Sequence, residues 1–428
     1  MRLAGRVSAA IDILTDIFDR HRPASEALKD WGKAHRFAGS TDRHAIGTLV
    51  YDALRRRNSL GARIGSDSPR ALALAVLRDS WGYSASEIAD TLGEQHGPGV
   101  LTAEELLALA PDLKPALPAH VSGDLPEWLA PSYEKVFGSR TAKEGAAIAS
   151  RAPVDLRVNT LKSTRPQVLE ALDRFGAVEG PWSPLSVRIA ATGPETRNAN
   201  VEVEPAHGLG HYEVQDSGSQ VAALLSGAAP GMSVADICAG AGGKTLALAA
   251  MMKNEGKLIA HDLDRFRLRP IFERLTRAGV TNCEVISAQD KGKLEAAGPF
   301  DLVVIDAPCS GSGSWRRKPD AKWRLTQKQF EQRLKEQVQV LEKGFNLARP
   351  GGTILYITCS VLPEENSDQV NAFLSRHPGV TIVPYKEQWA RTIGGVAPDS
   401  ADGSEQTLLL TPARHDTDGF FVAVMRKG

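Results

Sequence analysis

At 428 residues, with 42% hydrophobic and 24% charged residues, the chain is long enough for two or three packed units, and its composition excludes both a disordered and a fibrous protein. Its 51 Lys and Arg balance 51 Asp and Glu, which excludes a uniformly basic or acidic surface. No window holds the roughly 18 or more uninterrupted apolar residues that a membrane span needs.

From residue 1 to about 110, Ile11, Leu14, Ile17 and Phe18 fall at helix spacing, and "HAIGTLVYDALRR", "ALALAVLRDSWG" and "AEELLALA" repeat the pattern, which predicts an all-helical unit over residues 1–115. Asp12, Asp16 and Asp19 interrupt the first apolar stretch, so no signal peptide is read there and a cytoplasmic protein is expected. Residues 1–70 carry thirteen Lys and Arg against eight Asp and Glu. The Pro-rich "APDLKPALPAH" reads as a linker. A small α+β region is expected over 120–205, with "VDLRVNTLK" and "SPLSVRI" as strands flanking the helix "RPQVLEALDRFG".

From 206 to 428 strands and helices alternate, which predicts a parallel, Rossmann-like sheet covered on both faces. Asp216 or Ser217 caps the helix "SGSQVAALLSG", with Gln220 placed to close a capping box from Ser217. The expected strands are "SVADIC", "KLIAHD", "CEVISAQ", "FDLVVIDAP", "GTILYITCS", "VTIVPY" and "GFFVAVMRK". Ligands of such sheets gather beyond the carboxyl ends of the strands.

The first such end carries "DICAGAGGKT". A phosphate loop would need a glycine where Cys238 stands, and a dinucleotide fingerprint starting at Gly240 fails at Thr245. The glycines still bring backbone N–H groups close to a ligand at a helix N-terminus. With Asp262 ending the second strand, where it can hold ribose hydroxyls, and Asp290 expected to end the third, the pattern points to a methyl-donor pocket for S-adenosylmethionine.

The four cysteines, Cys238, Cys283, Cys309 and Cys359, form no C-x-x-C pair, so neither a metal site nor a disulfide framework is expected. Cys309 and Cys359 follow the ends of two consecutive strands. If those strands pair directly, the two thiols emerge side by side next to the donor pocket. Methylation at carbon 5 of a pyrimidine wants this arrangement. A thiolate adding to carbon 6 makes carbon 5 nucleophilic, and a second thiol helps the step that removes the carbon-5 proton and expels the first. Asp306 is placed to hydrogen-bond ring nitrogen 3, with Lys244 assisting or orienting it.

"DAPCSGSG", "TCSVLPEEN", "CAGAGGKT" and "DRFRLRPIFERLTRAGV", with "RRKPDAKW", "VQDSGSQ" and "HDTDGFF", resemble the motifs of the RsmB/Sun (Fmu) family of RNA cytosine-5 methyltransferases. "RFAGSTDRHAIGTLVYDALRR" resembles the NusB-like RNA-binding domain of the bacterial ribosomal RNA members, and "RVNTLK" their intermediate RNA-binding region. The resemblance implies Cys359 as the attacking thiol and Cys309 as the one that aids release; the residues alone do not choose between them. It also implies a donor site on Cys238, Ala239, Gly240, Ala241, Gly242, Gly243 and Lys244, with Asp262, Asp290 and Asp306. The loop departs from the commoner "AAPGG" by reading "AGAGG", which keeps the glycines, and Pro270 is expected to interrupt the helix after Asp262.

"SWRRKPDAKWR" follows the Cys309 loop, and Arg316, Arg317, Lys318 and Lys322 are expected to contact RNA phosphates, with Trp315 and Trp323 as candidate stacking residues. Small-subunit ribosomal RNA is the implied substrate and transfer RNA its competitor. No obligate protein partner is read, and a monomer is the default. An amino-group methyltransferase, a thiol redox protein and a non-catalytic RNA-binding assembly factor are the rival classes.

Overall fold

The computed structural model of the chain describes residues 1–110, 117–193 and 199–428, so the centre of the expected linker, residues 111–116, lies outside the described residues. The chain divides into two compact units. One is Met1–Arg151 with Trp315–Leu325 and a short piece at Thr192; the other is Ala152–Ala191, Ala199–Ser314 and Thr326–Gly428. The division expected from the sequence, 1–115, 120–205 and 206–428, is therefore redrawn. Pro118, in the stretch that reads as a linker, caps Ala119–Ser122, and this helix with Ala130–Phe137, which carries Pro131 in its first turn where a missing N–H goes unnoticed, and Thr141–Ile148 extends the helical unit.

In that first unit Leu3–Arg20, Ser40–Arg55 and Pro69–Asp79 supply Leu14, Leu49 and Leu74 to one apolar core. Trp315–Leu325, remote in sequence, packs into the same unit and buries Trp315 completely.

The second unit holds two sheets. Strands β1 (Val154–Val158), β2 (Val178–Glu179), β3 (Ser186–Ile189) and β4 (Tyr212–Val214) form an antiparallel sheet in the order β2-β3-β1-β4, and the helix Arg165–Ala171 closes a core of Leu156, Val168 and Val187. The larger sheet uses β5 (Ser233–Asp236), β6 (Lys257–Asp262), β7 (Cys283–Ser287), β8 (Phe300–Asp306), β9 (Ala348–Thr358), β10 (Val380–Val383), β11 (Leu408–Leu410) and β12 (Phe420–Lys427). Its order is β10-β12-β9-β8-β5-β6-β7, with β11 on β12. β5 to β9 run parallel as expected, but β12 is antiparallel to β9, β10 and β11. The connection from β11 to β12 is too short for a crossover helix, which leaves antiparallel pairing.

Asp216 is the cap of helix Ser217–Leu224, its carboxylate accepting the Gly218 N–H. Ser217 is the first helical residue and Gln220 reaches back to the Gln215 carbonyl, so the expected capping box does not form. Pro270 separates the single turn Arg265–Leu268 from the helix Ile271–Ala278, as its ring requires.

Candidate active site

β5 lies between β6 and β8, the point at which strand order reverses and a crevice opens at the carboxyl edge. The loop leaving β5 turns through Gly240 (φ 51°) and Gly242 (φ 87°), and a Cβ on Gly242 would stand 2.5 Å from Ile271 Cγ1, so backbone and packing both demand glycine there. The Gly240 N–H donates to Asp262 Oδ2 (2.9 Å) and the Asp264 N–H to Asp262 Oδ1 (2.9 Å), which holds the buried carboxylate at the end of β6 against the loop. Cys238, Ala239, Gly240, Ala241, Gly242, Gly243 and Asp262 are thus brought together. Cys238 is half-buried, and burial together with Asp236, Asp262 and Asp306 pushes its thiol well above the usual range, so it stays protonated.

Asp290 does not end a strand. β7 stops at Ser287, and Asp290 accepts from the Ser287 N–H (3.1 Å) and hydroxyl (2.8 Å) while pairing with Lys293 (2.8 Å). Lys293 and Ser287 hold its carboxyl down to about 2. An aspartate three residues past a strand serves a turn as readily as a ligand.

The loop is also gripped by residues that the sequence reading missed. Arg157 of β1 donates to Gln215 Oε1 (2.6 Å) and the Gly243 carbonyl (2.8 Å), and Arg274 donates to the Ala241 carbonyl (2.8 Å) and Glu213 (2.9 Å). Arg157 is buried, which lowers its guanidinium to about 10. The available signal was an arginine inside the apolar strand "VDLRV".

β8 and β9 pair in parallel to Asp306 opposite Ile357, and the ladder continues with the Ala307 N–H on the Ile357 carbonyl (2.8 Å). Beyond it, Cys309 Sγ and Cys359 Sγ stand 3.4 Å apart, both half-buried. Glu365, fully buried, fixes this corner by accepting from the Ser310 N–H (2.7 Å), the Ser310 hydroxyl (2.5 Å) and Gln337 Nε2 (3.1 Å). Gln337 also donates to the Pro308 carbonyl (2.9 Å), and the Gly313 N–H to the Cys359 carbonyl (3.0 Å).

The two thiols are electrostatically unequal. The Cys309 S–H shared with Cys359 lowers the Cys359 thiol below its usual value, with help from Lys244 and against burial and Asp306. The same hydrogen bond, with burial, drives Cys309 well above it. Lys244, on the first turn of helix Gly243–Met251, is 5% exposed and pairs with Asp306 Oδ2 (2.8 Å) while donating to Ser219 Oγ (3.2 Å). The structure therefore places Cys309, Cys359, Asp306 and Lys244 in one cluster beside the glycine loop.

The basic cluster is a correction. Lys322 is 1% exposed, and its ammonium donates to the carbonyls of Arg55 (2.9 Å) and Asp124 (2.5 Å), with burial lowering it to about 8. Trp323 Nε1 donates to the Leu54 carbonyl (2.6 Å). Leu54 and Arg55 end the helix Ser40–Arg55, so the two side chains satisfy its orphaned carbonyls; Lys322 is thereby withdrawn from the surface, while Trp323 is half-buried. Arg316 is buried, its carbonyl accepting from Arg55 Nε (3.1 Å), and Trp315 is a core residue; Arg317 is half-buried and Lys318 exposed. Lys322→Met, which orphans both carbonyls, is expected to lower stability by about 2 kcal/mol in denaturant unfolding of the full chain. Its affinity for RNA is expected to stay within about twofold, since no phosphate contact is removed. Among the described residues no group of three or more His, Cys, Asp or Glu side chains could hold a metal ion, and no helix is long and apolar enough to cross a membrane.

The model of the family described as 16S rRNA methyltransferase RsmB/F matches residues 224–426, and that of an RsmF/B-like ferredoxin-like domain matches 125–194. The chain belongs to the RsmB/F methyltransferase family. It is 33% identical to the ribosomal RNA small subunit methyltransferase B of Enterobacter sp. over 307 residues, and 30% identical to the probable ribosomal RNA small subunit methyltransferase B of Synechocystis sp. over 311 residues. Each match covers 71% of this chain and 66% of the relative's length. A solved methyltransferase homologue from Pyrococcus horikoshii, 28% identical, superposes with a TM-score of 0.60 over 74% of this chain and all of its own. The two sheets, glycine loop and paired cysteines thus sit in a methyltransferase domain and its ferredoxin-like companion.

Proposed function

We propose that this protein is an S-adenosylmethionine-dependent RNA methyltransferase acting on carbon 5 of a cytidine, with small-subunit ribosomal RNA as substrate. The observation that carries the reading is the 3.4 Å separation of Cys309 and Cys359 Sγ beside Lys244 and Asp306. The names of the relatives support ribosomal RNA as the target.

The donor site fits its ligand chemically. Asp262 offers a buried carboxylate, fixed by two backbone amides, to vicinal hydroxyls, and the loop at Gly240 to Gly243 offers close backbone approach. When bound, S-adenosylmethionine supplies an electrophilic sulfonium methyl group. Cys359, the thiol of lowered pKa, adds to carbon 6 of the cytosine and raises electron density at carbon 5. Ring nitrogen 3 and a carboxylate are both acceptors, so a proton carried by Asp306 or drawn from its 2.8 Å partner Lys244 bridges the two and neutralises the negative charge that develops at nitrogen 3. Once carbon 5 carries its methyl group, loss of the carbon-5 proton expels Cys359. That proton passes through a water to solvent while its electron pair restores the carbon 5–carbon 6 double bond, and Cys309, protonated and 3.4 Å away, hydrogen-bonds the departing Cys359 thiolate.

Incubation with tritiated methyl donor and cellular RNA, followed by bisulfite sequencing with and without the gene, tests this reading. One or a few protected cytidines in small-subunit ribosomal RNA are expected, and protection only in transfer RNA would move the substrate. Asp262→Asn removes the negative charge of the hydroxyl acceptor. It is expected to weaken donor binding, read by calorimetry, by about tenfold or more, while Cys359 alkylation is unaffected.

A further inference from the structure

Beyond the carboxyl end of β6 the chain presents a surface that the roles above do not use. Leu263, Phe266 and Phe272 are 70%, 71% and 59% exposed, and Arg265, Arg267 and Arg269 are exposed among them. The Pro270 break creates this display. Phe266 lies on the turn Arg265–Leu268, and Phe272 at the start of Ile271–Ala278, whose opposite face buries Ile271, Leu275 and Ala278.

The Arg265 guanidinium lies 4.9 Å over the Phe266 ring, and Arg267 Nη1 stands 3.4 Å from Asp262. Of the neighbouring acids, Asp262 also holds the Gly240 and Asp264 amides, Asp264 accepts the Phe266 N–H (2.8 Å), and Glu273 beside Phe272 is exposed, so the three arginines outnumber the acids left at the surface. Among the described residues Arg269 has no ion-pair partner.

We propose that this surface binds the single-stranded RNA flanking the modified nucleotide, with Phe266 and Phe272 stacking on bases and Arg265 and Arg269 contacting phosphates. This rests on the RNA reading above. Exposed rings beside Arg265 and Arg269, which have no ion-pair partner among the described residues, match a polyanion with π-faces, and a second copy of the same face would bring like charges together. The location fits as well. β6 and β9 lie three strand spacings apart in one sheet, about 14 Å at about 4.8 Å each, so a strand with its base at Cys359 reaches β6 within a few nucleotides.

The test uses the full chain and a fluorescein-labelled single-stranded RNA oligonucleotide, read by anisotropy. Phe266→Ala with Phe272→Ala is expected to weaken binding about tenfold or more. Arg265→Glu with Arg269→Glu is expected to weaken it too, and to lower the slope of log affinity against log salt by about 1.4 in magnitude, two phosphates' worth. S-Adenosylmethionine affinity is expected to stay unchanged in both. Unchanged RNA affinity in either variant, a parallel loss of donor affinity, or a preference for duplex RNA overturns the proposal. Binding is read without turnover, so absence of methyl transfer by the wild-type chain would count against the cytosine reading alone.

Discussion

Cys359→Ala is expected to abolish methyl transfer, by about 10⁴-fold or more, while donor binding stays intact. Carbon 5 of a neutral cytosine does not attack a sulfonium unaided, so no side reaction replaces the missing thiolate. Cys309→Ala is expected to behave differently. Attack and methylation proceed, release stalls, and a covalent protein–RNA adduct accumulates that survives denaturing electrophoresis. An adduct formed by Cys359→Ala, with Cys309 intact, would reverse the two roles.

The pair also predicts a pH effect. The hydrogen bond from Cys309 favours the Cys359 thiolate, so in the native chain alkylation of Cys359 has its midpoint below that of an ordinary thiol. Removing Cys309 takes away the largest lowering influence and leaves burial, Asp306 and Glu365, which raise the value, against Lys244 alone, which lowers it. The midpoint for Cys359 in Cys309→Ala is therefore expected to move upward, measured by mass spectrometry of iodoacetamide-treated protein across pH.

The catalytic sheet was legible because its strands are β-branched runs, and consecutive strands tend to pair; β8 beside β9 follows from that tendency. Strands β4 and β11 were not read, since three residues each, Tyr212–Val214 and Leu408–Leu410, show no period. The misplacement of Lys322 has a different origin. A basic residue after a catalytic loop reads as exposed, yet its ammonium serves carbonyls at Arg55 and Asp124, 267 and 198 residues away in sequence. Nothing local announces that partnership. The inequality of the two thiols is likewise not local: Cys309 and Cys359 are alike as strand-end cysteines, and what separates them is the opposite shift of their pKa values, with Lys244 lowering that of Cys359.

Asp306 and Lys244 carry the second large effect, and the two substitutions are expected to separate by sign. Asp306→Asn removes the carboxyl group proposed to face ring nitrogen 3, and methyl transfer is expected to fall about 10²- to 10³-fold. The Asp306 charge also raises the Cys359 pKa, so its removal should move Cys359 alkylation to lower pH even as turnover collapses. Lys244→Met also lowers turnover, because Asp306 loses the 2.8 Å partner that orients it. Here the lost charge was one that lowers the Cys359 pKa, so alkylation should shift to higher pH and the acidic limb of the rate profile should move with it. If both variants shifted alkylation the same way, the pair would be acting on the thiol through packing. Opposite shifts with a common loss of rate place Lys244 and Asp306 on the substrate ring and the nucleophile at once, as expected of an ion pair with a buried lysine and a half-exposed carboxylate beside two thiols.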